Sequence, residues 1–153
     1  MKLSKFRARL FHLWFLFARP MTLGVRIIVL DTERKILLVR HGYVSGWHLP
    51  GGGVEKNETA EDAVHKELLE ETGLKVTGRI ELLAVYANRN ASKRDHVLLY
   101  SCPQWQQHIE FKPNREIVEI GFFDFGALPA ETTKATRARL NEVFGEQEKS
   151  LFW

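Results

Sequence analysis

Leu49 to Leu74 reads LPGGGVEKNETAEDAVHKELLEETGL, a proline and three glycines followed by a segment with helical spacing. Glu67, Glu70 and Glu71 stand at i, i+3 and i+4, so they share an arc of roughly 100° on one helix face. Ala60, Ala63 and Val64 project into the same arc, and the acids therefore interrupt a stripe that would otherwise face the core. Like charges at this spacing repel one another, more so when partly buried. A solvated acidic face is one reading of the helix. A divalent cation is the other, because clustered carboxylates are what a hard cation binds. The turn in front favours the second reading. Pro50-Gly51-Gly52-Gly53 brings backbone close to a ligand with no Cβ in the way. It is not a P-loop, since no Gly-Lys-Ser/Thr follows. Asn57 or Thr59 is placed to cap a helix running from about Thr59 to Thr72, with Gly73 as its left-handed stop.

Working outward, Gly24 to Leu30 (GVRIIVL) reads as a strand, Asp31 to Arg34 as a turn, and Lys35 to Arg40 (KILLVR) as the returning strand of a hairpin. His41 to Gly46 is a loop, and Trp47-His48-Leu49 a short strand into the glycines. Beyond the helix, Lys75 to Ala87 forms an interrupted strand region, and Asn88 to Asp95 a basic loop. His96 to Ser101 is a strand, Cys102 to Gln107 a turn, His108 to Phe111 a short strand, and Glu119 to Phe125 another strand. Thr132 or Thr133 caps a helix from about Lys134 to Phe144. Strands on both sides of one helix, with a second helix near the end, predict a mixed α/β sheet sandwiched between helices.

The first twenty residues, MKLSKFRARLFHLWFLFARP, carry four basic residues before an apolar run. The run is shorter than the roughly 20 residues of a membrane span, and Arg19-Pro20 replaces a small-residue cleavage site. Residues 1–20 are expected to form an amphipathic helix docked on a single domain over residues 21–153. That helix, or the apolar tail Leu151-Phe152-Trp153, is also the candidate surface for a homodimer.

Composition narrows the function classes. With 153 residues the chain suits one domain with a real core, and 44% hydrophobic and 27% charged residues are ordinary for a globular protein. A net charge of +3 is compatible with an anionic small molecule and gives no sign of a nucleic-acid partner. One cysteine, Cys102, excludes an intrachain disulfide and lacks the company of a zinc site. A cytoplasmic location is the expectation that follows. No Gly-x-Ser-x-Gly elbow supports serine hydrolase chemistry.

Gly52, Glu58 and then Lys66-Glu67-Leu68-Leu69-Glu70-Glu71-Thr72-Gly73-Leu74 resemble the signature of the Nudix hydrolases. That signature is glycine, five residues, glutamate, seven residues, then R-E-U-x-E-E-x-G-U with U aliphatic. Both spacings fit, and the one departure is Lys66 in the arginine position. The match spans 23 residues and is far more specific than a lone GxGxxG. The resemblance implies a Nudix-like α/β/α sandwich and hydrolysis of a nucleoside diphosphate linked to another moiety, dependent on Mg²⁺ with Mn²⁺ as substitute.

By position, the resemblance makes Glu67, Glu70 and Glu71 the metal ligands, with Gly51 offering a carbonyl. Glu58 holds the loop or an outer ion through water, and Gly52 and Gly53 form the turn over the substrate. For the general base, Glu67, Glu70 and the downstream Glu116 all stay open. Lys66 retains the charge of the arginine but loses its planar fork. It is expected to reach Glu70 one turn on and to give a working but slower site. Arg40 is a candidate phosphate contact, as are Arg89, Lys93 and Arg94. The alternative function is a nucleotide-binding module that keeps the fold with weak or no catalysis. The choice of nucleotide is not encoded in the box.

Overall fold

The computed structural model describes Trp14, residues 20–145 and residues 147–153. Apart from Trp14 and Pro20, the helix expected over residues 1–20 lies outside the described residues. From residue 20 onward the described residues form eight strands, two α-helices and one 3-10 turn. They are β1 (Thr22–Val29), β2 (Ile36–His41), β3 (Trp47–His48), α1 (Ala60–Thr72), β4 (Leu74–Val76), β5 (Glu81–Ala87), β6 (Asp95–Cys102), β7 (Trp105–Gln107), β8 (Ile117–Phe123), the 3-10 turn Phe125–Ala127 and α2 (Lys134–Phe144).

The strands form two three-stranded sheets, ordered β1-β6-β5 and β3-β2-β8, and a small β4-β7 pair. The first sheet is mixed, since β1 runs parallel to β6 while β5 is antiparallel to it. Helix α1 covers one side. Its Ala63, Val64 and Leu68 bury against Val25, Ile27 and Val29 of β1, with Leu37, Tyr100 and Cys102 alongside. Helix α2 covers the other, with Leu140 buried in a cluster of Ile28, Leu38, Trp47, Tyr86 and Leu99. This is the expected α/β sandwich. Each large apolar side chain so buried stabilises the fold by roughly 1.5–3 kcal/mol before entropy is counted.

The expected hairpin of β1 and β2 does not form. The turn exists, with Asp31 Oδ1 accepting from the Glu33 and Lys35 amides, but the strands meet only at a bridge between Leu30 and Ile36. Beyond it they separate into different sheets. The edge of β1 away from β6 is taken by the glycine turn. The Val25 amide donates to the Gly52 carbonyl at 2.8 Å, the Ile27 amide to Pro50 at 2.9 Å, and the Val54 amide to Leu23 at 2.8 Å. Two adjacent apolar runs look like a hairpin in sequence whether they pair with each other or are pulled to different partners. A second correction concerns Cys102 to Gln107. Trp105–Gln107 is a strand paired with β4, not part of a turn, and no strand forms at His108 to Phe111. The indole of Trp105 fixes it there by donating to the Leu30 carbonyl at 2.8 Å.

The tail packs on its own domain. The Ala87 amide donates to the Leu151 carbonyl and the Trp153 amide to the Ala87 carbonyl, and the Trp153 ring meets Tyr86 edge-on at 5.6 Å. Beneath them Glu142 accepts from the Tyr86 hydroxyl at 2.8 Å and from Arg139 at 2.6 Å. No helix among the described residues is long and apolar enough to cross a membrane.

Candidate active site

Helix α1 starts where Thr59 makes it start. The Thr59 hydroxyl accepts from the Asp62 amide at 3.1 Å, while the Asp62 carboxylate accepts from the Thr59 amide at 3.2 Å. This reciprocal cap sets the rotation of the helix. Gly73 closes it with φ of 74° and its N–H on the Leu69 carbonyl. Between these ends, Glu67 and Glu71 turn beneath the glycine turn and Glu70 faces outward, exposed.

The fit between turn and helix is close. The Gly51 amide donates to Glu71 at 2.8 Å. Gly51 has φ of 136°, and a side chain there would strike the Val25 carbonyl. A Cβ on residue 52 would lie 2.6 Å from the Glu67 carboxylate. Glycine at 52 lets the Glu67 carboxylate sit against the backbone, and glycine at 51 lets the turn lie against β1.

These acids line a cavity of about 340 Å³ together with Arg26, His41, Tyr43, Val44, His48, the three glycines and Glu116. Glu71 is only 4% exposed, and burial pushes its carboxyl up to about 8 against the pull of the Gly51 amide and Arg26. Burial also raises Glu67, with Lys66 opposing and Glu70 and Glu116 adding to the shift. His41 comes within 3.8 Å of Glu71. Burial first, then Arg26 and His48, push its imidazole down to about 4. It is therefore neutral near pH 7 and makes no ion pair with Glu71.

Lys66 takes a partner other than the one expected. Its ammonium meets Glu58 at 3.0 Å, with Glu67 at 3.7 Å and Glu55 at 3.8 Å, rather than turning to Glu70. The Glu58 carboxylate also accepts from the Glu55 amide at 2.8 Å. Lys66 thus ties the loop before α1 onto the helix, and Glu58 is the residue that it holds.

The Gly51 carbonyl, expected to face a cation, already accepts from Arg26 Nη1 at 2.6 Å; the Leu49 carbonyl accepts from the same nitrogen at 3.0 Å. Sequence reasoning misses Arg26. Its one signal is a charge inside the apolar run GVRIIVL, at a position that alternation would bury. Arg40 lies outside the acidic cavity. It pairs with Glu119 at 2.7 Å and lies over Trp47. It lines a neighbouring groove of about 1070 Å³ between the loop at residues 41–46 and residues 130–137. Tyr43 and Val44 border both spaces. Arg89 stacks on Phe152, away from the acids.

Among the described residues, no group of three His, Cys, Asp or Glu side chains converges closely enough to hold a metal ion unaided. Mg²⁺ does not need one. It keeps several waters and is commonly bound through one or two carboxylates plus substrate phosphates. Two sheltered carboxylates that meet the glycine turn, Glu71 at the Gly51 amide and Glu67 beside Gly52, fit such an ion.

Residues 20–144 match the NUDIX domain family. An ADP-ribose pyrophosphatase of Methanocaldococcus jannaschii is 35% identical over 104 residues, which covers 66% of this chain and 61% of that protein. The chain thus spans less than two thirds of that curated relative. A MutT NUDIX hydrolase from Burkholderia pseudomallei superposes with a TM-score of 0.68 at 26% identity, over 80% of this chain and 97% of the other. An ADP-ribose pyrophosphatase from Streptococcus suis gives a TM-score of 0.62 at 27% identity, over 84% and 96%.

Proposed function

The chain belongs to the NUDIX domain family, and from that premise we propose that it is a Mg²⁺-dependent hydrolase of a nucleoside diphosphate linked to another moiety. One observation carries the reading: Glu67 and Glu71 meet the glycine turn so closely that Gly51 donates to one and Gly52 has no room for a Cβ beside the other. Two relatives that bear the name ADP-ribose pyrophosphatase support a substrate of this class. So does the wide groove beside the acidic cavity, which leaves space for a group beyond the diphosphate.

In this reading Glu67 and Glu71 would hold the ion, with Glu70 the third acid of the helix, on its exposed side. When bound, Mg²⁺ neutralises phosphate charge and lowers the pKa of a coordinated water. The chain's own groups do the rest. Glu116, on the loop before β8 and across the cavity from α1, is the candidate base that orients the attacking water and takes its proton. Lys66 and Glu58 fix the loop between turn and helix. Arg40, at the groove, is the candidate contact for the outer phosphate once it exchanges Glu119 for substrate. The Gly52 and Gly53 backbone bounds the space above the acids.

The test is a panel with Mg²⁺: ADP-ribose, nucleotide sugars, dinucleoside polyphosphates, nucleoside triphosphates including 8-oxo-dGTP, and 5′-triphosphate RNA. The expected result is turnover of an NDP-linked compound to a nucleoside monophosphate and a phosphorylated partner. Binding of these ligands with no turnover of any would instead favour a silent nucleotide-binding module, the reading for which Lys66 in the arginine position leaves room.

A further inference from the structure

Arg26 is a full positive charge in a part of the molecule that gathers acids. Its strand neighbours Val25 and Ile27 are wholly buried, and its guanidinium is bound to the glycine turn. Both of its hydrogen bonds go to carbonyls of that segment, Gly51 at 2.6 Å and Leu49 at 3.0 Å. The same side chain lines the cavity that holds Glu67 and Glu71. A guanidinium stays protonated in proteins, so this charge is permanent. The Gly51 oxygen has a second lone pair, but a divalent ion seated there would share one oxygen with the guanidinium. Repulsion between the two cations opposes that arrangement.

Building on the metal-dependent reading above, we propose that Arg26 is a positioning residue that acts as a built-in cation. It removes the Gly51 carbonyl from the ligands open to the metal and sets a fixed positive charge against Glu67 and Glu71. The divalent ion is then held by carboxylates and water, and more weakly than the acids alone would hold it. Tight seating of the ion therefore depends on the phosphates that arrive with substrate. Arg26 also keeps the turn in place when no metal is bound, because it satisfies two of its carbonyls at once.

Calorimetric titration with Mn²⁺ alone, without substrate, tests this on the wild type, Arg26→Met and Arg26→Lys. Removing the charge is expected to tighten Mn²⁺ binding in Arg26→Met by at least about tenfold, while Arg26→Lys stays within about threefold of the wild type. A purely structural arginine predicts the reverse for Arg26→Met, because a loosened turn binds metal no better. Unchanged or weaker Mn²⁺ binding in folded Arg26→Met overturns the proposal.

If Arg26→Met melts below the assay temperature, the wild type decides. Nitrogen-15 spectra of the Arg26 guanidinium, taken with saturating Mg²⁺, are expected to keep the slowed rotation of a bonded side chain. Free rotation, which would mean that the metal has released Gly51 from Arg26, overturns the proposal. Neither measurement involves turnover. A silent substrate panel therefore sinks the hydrolase reading alone, and a wrong result here sinks the Arg26 proposal alone.

Discussion

The Lys66 ammonium lies 3.0 Å from Glu58 and 3.7 Å from Glu67, and so joins the loop before α1 to the first acid of the site. The hydrogen bond to Glu58 raises the lysine, and Glu58 is lowered by the Glu55 amide first and Lys66 second. Lysine makes this contact as a point charge. Arginine at the same place could bond Glu58 and Glu67 together through its planar fork. Lys66→Arg is therefore expected to raise kcat by about two- to fivefold, and Lys66→Met to lower it by about tenfold or more. Steady-state kinetics on the substrate found by the panel will tell. Equal kcat for the wild type and Lys66→Arg would show that the departure from the signature is neutral.

Gly52→Ala is a steric test. The added methyl would lie 2.6 Å from the Glu67 carboxylate, so either the acid or the turn must shift. The expected outcome is a loss of kcat of about 100-fold, since small displacements of positioned groups cost that much. The melting temperature should barely move, because the change lies at the surface of the cavity and not in the core. A Gly52→Ala enzyme with normal kcat and normal Mn²⁺ affinity would detach Glu67 from the site.

The buried carboxyl of Glu71 sets a stability slope. Its pKa rises from 4.5 unfolded to about 8 folded. A raised folded value means that the folded state binds the proton more tightly. The contribution is thus fully present below about pH 4.5 and is lost as pH climbs through about 8. In EDTA, the wild type is expected to lose on the order of a few kcal/mol from this group across that window. Glu71→Gln should flatten the slope and match or exceed the wild type in melting temperature near the upper end of that window. Added Mg²⁺ should stabilise the wild type and leave Glu71→Gln almost unchanged. Thermal melts at several pH values, with and without the ion, provide the check.

Glu116→Gln separates proton transfer from metal binding. If Glu116 orients and deprotonates water, kcat should fall by about 100-fold or more while KM and Mn²⁺ affinity stay near wild type. Should Glu67→Gln give that loss instead, with Glu116→Gln leaving kcat unchanged, the base is on the helix.

The C-terminal anchor makes a prediction away from the site. Glu142 and Arg139 form a buried pair at 2.6 Å, and Glu142 also accepts from Tyr86 and from the Ser150 amide. Arg139 in turn donates to the Phe152 carbonyl at 2.8 Å. Glu142→Ala leaves an arginine buried without its partner and is expected to cost about 3–5 kcal/mol in denaturant unfolding. Kinetics at temperatures where the variant stays folded should be unaffected.

Helix α1 is legible in the sequence almost to the residue, because its cap, acids and glycine stop are all local features. The turn that faces it is legible for the same reason. The partners are not. Runs 24–30 and 35–40 look alike to a pattern of apolar residues, and only the assembled fold shows that β1 prefers β6 and the glycine turn to β2. Three glutamates on one arc read as equals, yet the tilt of α1 buries Glu71, half-buries Glu67 and exposes Glu70. Lys66 has Glu70 one turn away in sequence and Glu58 closer in space. Arg26 sits inside a strand-forming run, where its charge looks incidental. Glu116, distant in sequence, reaches the cavity only through the path of the chain between β7 and β8.

The hydrogen bonds from Val25 and Ile27 to the glycine turn carry one more implication. An unpaired strand edge is a template on which other chains aggregate. Here the segment proposed to carry the chemistry is also the cover for that edge. An insertion or deletion between Leu49 and Val54 would therefore be punished twice, once as lost turnover and once as insolubility. Solubility screening of a loop library, with no substrate in hand, should by itself mark out the residues of the reactive turn.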